Sequence, residues 1–298
     1  MGKASRIKQQ SAREKIAAQR AEAQRLERRN RILITGGSIL LVLVIVGAFV
    51  LVKLSQSSTP SSSSSGRTVL PASVSAQVTG VPASTLDAVG QGAVPTFMHG
   101  ATPLSPGTGT TLTSAGKPQM LYIGAEFCPY CAAMRWSMAI ALSRFGHFTT
   151  PLKGIRSSPT DTDPNTATLT FYKAGYDSPY LTFTPVENQT IGKALLQNPT
   201  QAQNAVWAKY EPNPSSRGYP FIDFGNKAVL KGPIYDPAVL AGKSWSQIAA
   251  VLHDPSSPIT QSVVGAANYV TAAICKMTNH QPADVCTSKA VTAVQSGV

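Results

Sequence analysis

Residue types that carry catalytic chemistry are scarce in this chain. Its 298 residues include four cysteines and four histidines, and charged residues make up 13% of the sequence. Four cysteines are too few for a small disulfide scaffold, and the histidines are isolated, without the spacing of metal ligands. The sequence also lacks a Gly-x-Ser-x-Gly nucleophile motif and a glycine-rich phosphate loop. We therefore expect neither a metal site nor a bound cofactor.

Acidic residues are scarce too, and the basic excess is concentrated at one end. The chain has 26 Lys and Arg against 14 Asp and Glu, which gives a net charge of +12. Residues 1–31 hold ten of the basic residues and three of the acidic ones. The remainder has no basic stripe interleaved with aromatic residues, the pattern typical of nucleic-acid binding. Nucleic acid is therefore not an expected partner.

A long run without charge follows the basic segment. Ile32–Val52 contains 21 uncharged residues. At about 1.5 Å per residue, such a helix spans roughly 30 Å, the thickness of the bilayer hydrocarbon. Cleaved secretory signals have shorter apolar regions followed by small residues, so an uncleaved anchor is favoured. We expect residues 32–54 to cross the cell membrane once and to contact its lipid, with the N-terminus cytoplasmic and the C-terminal part extracytoplasmic.

Composition divides the chain into four parts. The basic segment 1–31 is either a topology determinant alone or also a contact for anionic lipid or a cytoplasmic partner. After the predicted membrane helix, residues 55–67 are rich in serine and are typical of a flexible stalk. Residues 68–298 then have the size of a single extracytoplasmic domain.

Two cysteines form the motif with the clearest chemistry. Cys128 and Cys131 follow an apolar run, Met120–Ile123, that is typical of a buried strand. Residues 132–145 then place apolar side chains on one face of a predicted helix. Cys128 is therefore expected at the helix N-terminus, where backbone N–H groups and the helix dipole lower a thiol pKa. We predict that Cys128 is the attacking thiol and Cys131 the resolving thiol.

This motif resembles the active-site stretch of thioredoxin-fold proteins. The Pro-Tyr dipeptide between the cysteines is the one typical of glutaredoxins, and Arg217–Phe224 resembles the cis-proline loop of that fold. The resemblance implies an α/β domain with a thioredoxin-like mixed sheet flanked by helices. It also implies a cis bond before Pro220 and a substrate-binding role for Tyr219 and Pro220. In layout the chain resembles a membrane-anchored family catalogued as domain of unknown function 929, over Gly124–Gly146, Thr166–Glu187 and Gly265–Cys286.

The sequence departs from the thioredoxin pattern in two places. Tyr122 stands at the strand position that holds a buried aspartate in thioredoxins, so a carboxylate proton relay is not expected there. The separation between Cys131 and Pro220 is also longer than a minimal thioredoxin uses. We therefore expect a helical insertion, with a helix over Asn198–Tyr210. A hairpin is predicted after the proline, because Gly225-Asn226 separates two apolar runs.

The remaining cysteines are predicted to form a structural disulfide. Cys275 falls near the end of a predicted helix over Pro258–Thr278, and Cys286 follows the break at Pro282. Oxidation is favoured outside the cytoplasm, although a second redox pair is an alternative. The spacing of these two cysteines does not suit a zinc site shared with the first pair.

Two charged residues lie near the cysteine motif. Glu126 is interpreted either as a group that modulates the thiol or as a solvated charge. Arg135, two helical turns after Cys128, is expected to bind a partner at most and to have little effect on the thiol.

These observations favour a membrane-anchored thiol–disulfide oxidoreductase. Its expected partners are exported protein thiols or a membrane redox partner. The alternative is a non-catalytic envelope module that binds a partner, with Cys128 and Cys131 joined in a static disulfide. The Pro-Tyr dipeptide favours reduction of substrates, whereas the compartment favours oxidation.

Overall fold

The computed structural model describes residues 66–298. The membrane helix predicted for residues 32–54, the basic segment and nearly all of the stalk lie outside the described residues. Within residues 66–298, no helix combines the length and apolar character needed to cross a bilayer.

The described part of the chain is a mixed α/β structure. Its strands, in chain order, are β1 (Thr68–Val69), β2 (Ser105–Pro106), β3 (Thr113–Ser114), β4 (Lys117–Gly124), β5 (His147–Phe148), β6 (Lys153–Arg156), β7 (Ala167–Thr170), β8 (Tyr176–Asp177), β9 (Thr182–Glu187), β10 (Phe221–Phe224) and β11 (Ala228–Lys231). Its α-helices are α1 (Ala72–Thr79), α2 (Ala83–Val89), α3 (Val94–Phe97), α4 (Pro129–Leu142), α5 (Gln201–Tyr210), α6 (Trp245–Val251), α7 (Pro258–Met277), α8 (Ala283–Cys286) and α9 (Lys289–Thr292). Three short 3-10 helices cover Pro214–Ser216, Pro237–Leu240 and Gln295–Gly297.

Strand β4 lies at the centre of the main sheet. It pairs in parallel with β9 and antiparallel with β10, which continues to β11 and β2. The short β3 pairs with the start of β4. Because parallel partners cannot be joined by a tight turn, the chain crosses over through α4 before it returns to β9. This crossover leaves the N-terminus of α4 next to the C-terminal end of β4.

Both faces of β4 are covered, which explains its continuous apolar sequence. Met120 and Tyr122 face the larger core, which is shared with α4 and α7. Leu121 and Ile123 face a smaller cluster that contains Trp207 of α5. A short strand buried on both sides is thereby fixed in register, and so is the loop that follows it.

Helix α7 is the longest helix of the described residues and is buried along most of its length. It begins at Pro258, whose missing N–H costs nothing in the first turn. It packs on α4, where the Ser137 hydroxyl donates a hydrogen bond to the Val263 carbonyl at 2.7 Å. The predicted helix over Pro258–Thr278 is therefore confirmed to within one residue.

The predicted hairpin is confirmed as β10 and β11. Phe221 pairs with Lys231 and Phe224 pairs with Ala228 in an antiparallel register. Gly225, Asn226 and Lys227 connect the strands, and the first two residues have φ of +60° and +58°, the left-handed conformation that glycine and asparagine tolerate in tight turns.

The predicted helical insertion is only partly correct. Helix α5 is present, begins at Gln201 and has a capping box formed by Thr200 and Gln203. The segment between α4 and β9, however, consists of short strands: β6 lies between β1 and β7 and pairs with both, while β5 pairs with β8. The strands are two to four residues long, too short to give a detectable periodicity in sequence.

Candidate functional site

Cys128 is the N-cap residue of α4. Its backbone is extended, with φ of −74° and ψ of 122°, and Pro129 follows in the first helical turn. The Cys131 N–H donates a hydrogen bond to Cys128 Sγ at 3.4 Å, so the sulfur takes the place of a capping oxygen. The position expected from the sequence, at the turn between strand and helix, is the one observed.

The two thiols are free and differ in ionisation. Cys128 is 5% exposed and Cys131 is fully buried. A hydrogen bond from the Cys131 thiol is the main cause that lowers the pKa of Cys128, against the opposing effect of burial. Burial raises the pKa of Cys131 well above its ordinary value. Cys128 is therefore the first of the two to become a thiolate, and it is the one that solvent reaches.

The loop before β10 lies against Cys128. The Tyr219–Pro220 peptide is cis, as the resemblance implied. The Cys128 thiol is 3.7 Å from the Tyr219 carbonyl oxygen, to which it donates. The Tyr219 hydroxyl donates to Asn188 Oδ1, which fixes the ring at the rim of the site. The structure thus brings Tyr219 and Pro220 to the cysteines, as the sequence predicted; their role in binding remains a prediction.

Glu126 is buried rather than solvated, so the interpretation as a solvated charge is wrong. Arg67 donates to both of its carboxylate oxygens, at 2.7 and 2.6 Å. The Thr170 hydroxyl donates to one of the same oxygens at 2.7 Å. These contacts fix the loop that precedes Cys128 to β7 and to the residue before β1.

Arg135 is the residue whose role the sequence did not reveal. It is fully buried, and it donates to Glu187 from Nε at 2.9 Å and from Nη2 at 2.7 Å. Nη2 also donates to the Ala125 carbonyl at 2.8 Å. Full burial contradicts the expected contact with a partner. The Cys131 hydrogen bond is the main cause that lowers the pKa of Cys128, and burial is the main effect on Cys131; the Arg135 charge lowers both pKa values as a smaller effect, as the sequence predicted.

One signal in the sequence pointed to this role for Arg135. The residue is four positions after Cys131, which places both side chains on one face of α4. Its partner Glu187 ends β9, the parallel neighbour of β4, and lies far from the motif in sequence. The ion pair therefore depends on the sheet pairing, which the sequence alone did not specify.

The side chain of Tyr122 also lies beside the cysteines. Its hydroxyl is buried without a hydrogen-bond partner, and burial raises the pKa of this group well above its usual value. A Cβ atom on Gly124 would lie 2.0 Å from the hydroxyl oxygen, so only glycine fits there. No carboxylate occupies position 122, as the sequence showed, but the Glu187 carboxylate reaches the same region from β9.

The predicted disulfide between Cys275 and Cys286 is present, with Cα atoms 5.5 Å apart. It joins the last turn of α7 to α8. Within residues 66–298, no group of three or more His, Cys, Asp or Glu side chains is arranged to hold a metal ion.

An aromatic and basic rim surrounds Cys128. Tyr130 is 38% exposed, and the Phe127 and Tyr219 rings meet edge to face with centroids 6.2 Å apart. Lys193 Nζ lies 4.8 Å from the centre of the Phe127 ring, and the Arg217 guanidinium lies 5.3 Å from that of Trp207. Such a rim suits a peptide that presents its backbone and apolar side chains to the sulfur.

The fold and this site define a mixed α/β protein with a buried pair of free cysteines at a helix N-terminus. The family model described as Domain of unknown function (DUF929) matches residues 108–276, and the chain belongs to this family. The matched range includes Cys128, Cys131 and the Tyr219 loop. No curated protein and no solved structure shows significant similarity to the chain.

Proposed function

We propose that this chain is a thiol–disulfide oxidoreductase anchored to the outer face of a membrane. The observation that carries the proposal is Cys128, a slightly exposed sulfur with a lowered pKa at the start of α4, three residues before a second free thiol. A thiolate is the nucleophile of disulfide exchange, and a second thiol within reach converts the first attack into a complete reaction.

The proposed mechanism has two exchange steps. The Cys128 thiolate attacks a substrate disulfide, forms a mixed disulfide and releases one substrate sulfur as a thiolate that takes up a proton. The Cys131 sulfur then attacks Cys128, so the Cys128–Cys131 bond forms and the bond to the substrate breaks. The substrate is reduced, the dithiol is oxidised, and a partner dithiol must reduce the pair again for turnover; in reverse, the same steps oxidise a substrate.

We also propose that the domain has a thioredoxin-like fold. Three features support this: the crossover from β4 through α4 to the parallel β9, the antiparallel β10–β11 hairpin beside β4, and the Tyr219 carbonyl 3.7 Å from Cys128 Sγ. On this fold, the Tyr219–Pro220 loop would bind the substrate backbone next to the attacking sulfur.

The membrane location is proposed from the sequence. The uncharged run Ile32–Val52 follows ten basic residues, the order that places an N-terminus in the cytoplasm. Residues 32–54 would hold the enzyme at the membrane, where exported protein thiols and membrane redox partners are its substrates. Mixed disulfides trapped on a Cys131→Ala variant would identify those partners, because the resolving thiol is missing.

Insulin reduction by the full-length protein in detergent tests the proposed activity. We expect wild type to be active, Cys128→Ser to be inactive, and the double variant Cys275→Ser/Cys286→Ser to keep activity as the control for replacement of cysteines outside the site. Equal activity of wild type and Cys128→Ser would contradict the proposal. A Cys128–Cys131 disulfide that resists reduction at about −270 mV would instead favour the non-catalytic module.

A further inference from the structure

Two buried polar groups beside the cysteines have no hydrogen-bond partner. They are the Tyr122 hydroxyl and Nη1 of Arg135. A buried donor without a hydrogen bond lowers the stability of the folded protein, so the presence of two such donors at this site calls for a physical explanation. Both groups can donate to an anion. Of the two cysteine sulfurs that the proposed mechanism uses, the fully buried Cys131 is the one next to the Tyr122 hydroxyl.

We propose that Tyr122 and Arg135 are positioning residues that stabilise the thiolate of Cys131 during the resolving step. This inference rests on the proposed oxidoreductase function. The two residues would stabilise the buried thiolate by donating hydrogen bonds to it; they are not a base, and position 122 provides no carboxylate.

The surroundings hold both groups in place. Arg135 lies one helical turn after Cys131 on α4, and its guanidinium is fixed by two bonds to Glu187 and one to the Ala125 carbonyl. These contacts use Nε and Nη2 and leave Nη1 available. The Tyr122 hydroxyl is confined over Gly124, at the end of β4 from which the cysteine loop departs.

The electrostatics of the site agree with this arrangement. Burial is the largest effect on Cys131 and raises its pKa, and Arg135 acts in the opposite direction. Burial also raises the pKa of Tyr122, so this hydroxyl keeps its proton and remains a donor at neutral pH. The Glu187 carboxylate is the counter-ion of Arg135. It accepts hydrogen bonds from the guanidinium and, at 3.1 Å, from the Phe171 N–H.

Tyr122 and Arg135 assist the resolving step, which takes place within the mixed disulfide between Cys128 and the substrate. Cys131 loses its proton and attacks Cys128 Sγ, the Cys128–Cys131 bond forms, and the bond from Cys128 to the substrate sulfur breaks. The substrate sulfur leaves with the electron pair and takes up one proton, which replaces the proton lost by Cys131. Tyr122 and Arg135 donate hydrogen bonds to Cys131 without transferring a proton.

The two thiol steps can be followed separately with 5,5′-dithiobis(2-nitrobenzoate) on full-length protein in detergent. Attack by Cys128 releases the first thionitrobenzoate, and attack by Cys131 releases the second. We expect Tyr122→Phe to leave the first release unchanged, to slow the second about tenfold at pH 7, and to move its pH profile up by about one unit, the effect of one hydrogen bond to a charged group. The double variant Arg135→Gln/Glu187→Gln, which leaves no unpaired charge, should shift the second release in the same direction.

Tyr176→Phe is the matched control, because it removes the hydroxyl of a half-buried tyrosine that donates to the Leu142 carbonyl at the other end of α4. It should not change either release. A second release with the wild-type rate and pH profile in Tyr122→Phe and in the double variant would overturn the proposal; if the double variant does not fold, Tyr122→Phe decides alone. A wild-type protein that gives no second release would instead overturn the oxidoreductase function itself, and this inference with it.

Discussion

Single side chains decide how the loop before Cys128 is held. Glu126 is buried and receives two hydrogen bonds from Arg67 and one from Thr170. Arg67 also lies 4.5 Å from the centre of the Tyr172 ring, so its own position is fixed by packing as well as by charge. The conformation of the loop therefore depends on residues at both edges of the three-stranded sheet β1–β6–β7: Arg67 precedes β1, and Thr170 lies in β7.

We expect Glu126→Gln to destabilise the protein by about 2 kcal/mol, because Arg67 keeps its charge in a partly buried place without a counter-ion. Urea unfolding would measure the loss. Thr170→Val is the matched variant: it removes one hydrogen bond to the same carboxylate and the acceptor of the Tyr172 N–H, and it should cost about 1–2 kcal/mol. Equal stability of Glu126→Gln and wild type would show that the ion pair does not hold the loop.

The buried carboxyl of Asp223 should make the free energy of unfolding depend on pH. Burial raises the pKa of this carboxyl to about 6, against an unfolded value of about 4. Because the folded pKa is the higher one, the stability contributed by this group is complete below pH 4 and is lost as the pH rises through 6. We expect Asp223→Asn to match wild type at pH 4 and to be more stable by about 2 kcal/mol at pH 8. Urea unfolding at the two pH values measures this, and a gain of the same size at pH 4 would contradict it.

At the scale of elements, a disulfide joins the end of α7 to α8. The disulfide between Cys275 and Cys286 closes a loop with a sequence separation of 11 residues. Such a loop is worth about 2–3 kcal/mol through restriction of the unfolded chain. We expect Cys275→Ser/Cys286→Ser to lower the free energy of unfolding by this amount, and reduction of wild type to reproduce it. A wild-type protein whose stability is insensitive to reductant would show that the bond contributes nothing.

At the level of elements, the sequence predicted those whose signals are local. The apolar run of β4, the start of α7 at Pro258 and the Gly225-Asn226 turn are such signals. The helix after Cys131 was predicted too, but it is buried on all sides rather than on one face. The strands β5 to β8 lack them because each is short and is stabilised by pairing across the chain. For the same reason the Arg135–Glu187 pair was missed, whereas the positions of Cys128 and Tyr219 were not.

For the whole molecule, the proposed topology makes a prediction about access from outside the cell. In cells that express the full chain, a maleimide that cannot cross membranes should label Cys128, since this sulfur is the more accessible of the two free thiols and its pKa is lowered by the hydrogen bond from Cys131. A cysteine introduced within residues 1–31 should stay unlabelled until the membrane is permeabilised. Labelling in the opposite order would contradict an extracytoplasmic domain.

The complete burial of Cys131 has a consequence under oxidative stress. We expect peroxide to react first with Cys128 and to convert it to a sulfenic acid, because the neighbouring sulfur is fully buried. A thiol three residues away can condense with that sulfenic acid and release water, which gives a disulfide that a reductant can restore. We therefore expect the pair to form this reversible product rather than sulfinic acid, because burial keeps the second thiol reduced until it reacts.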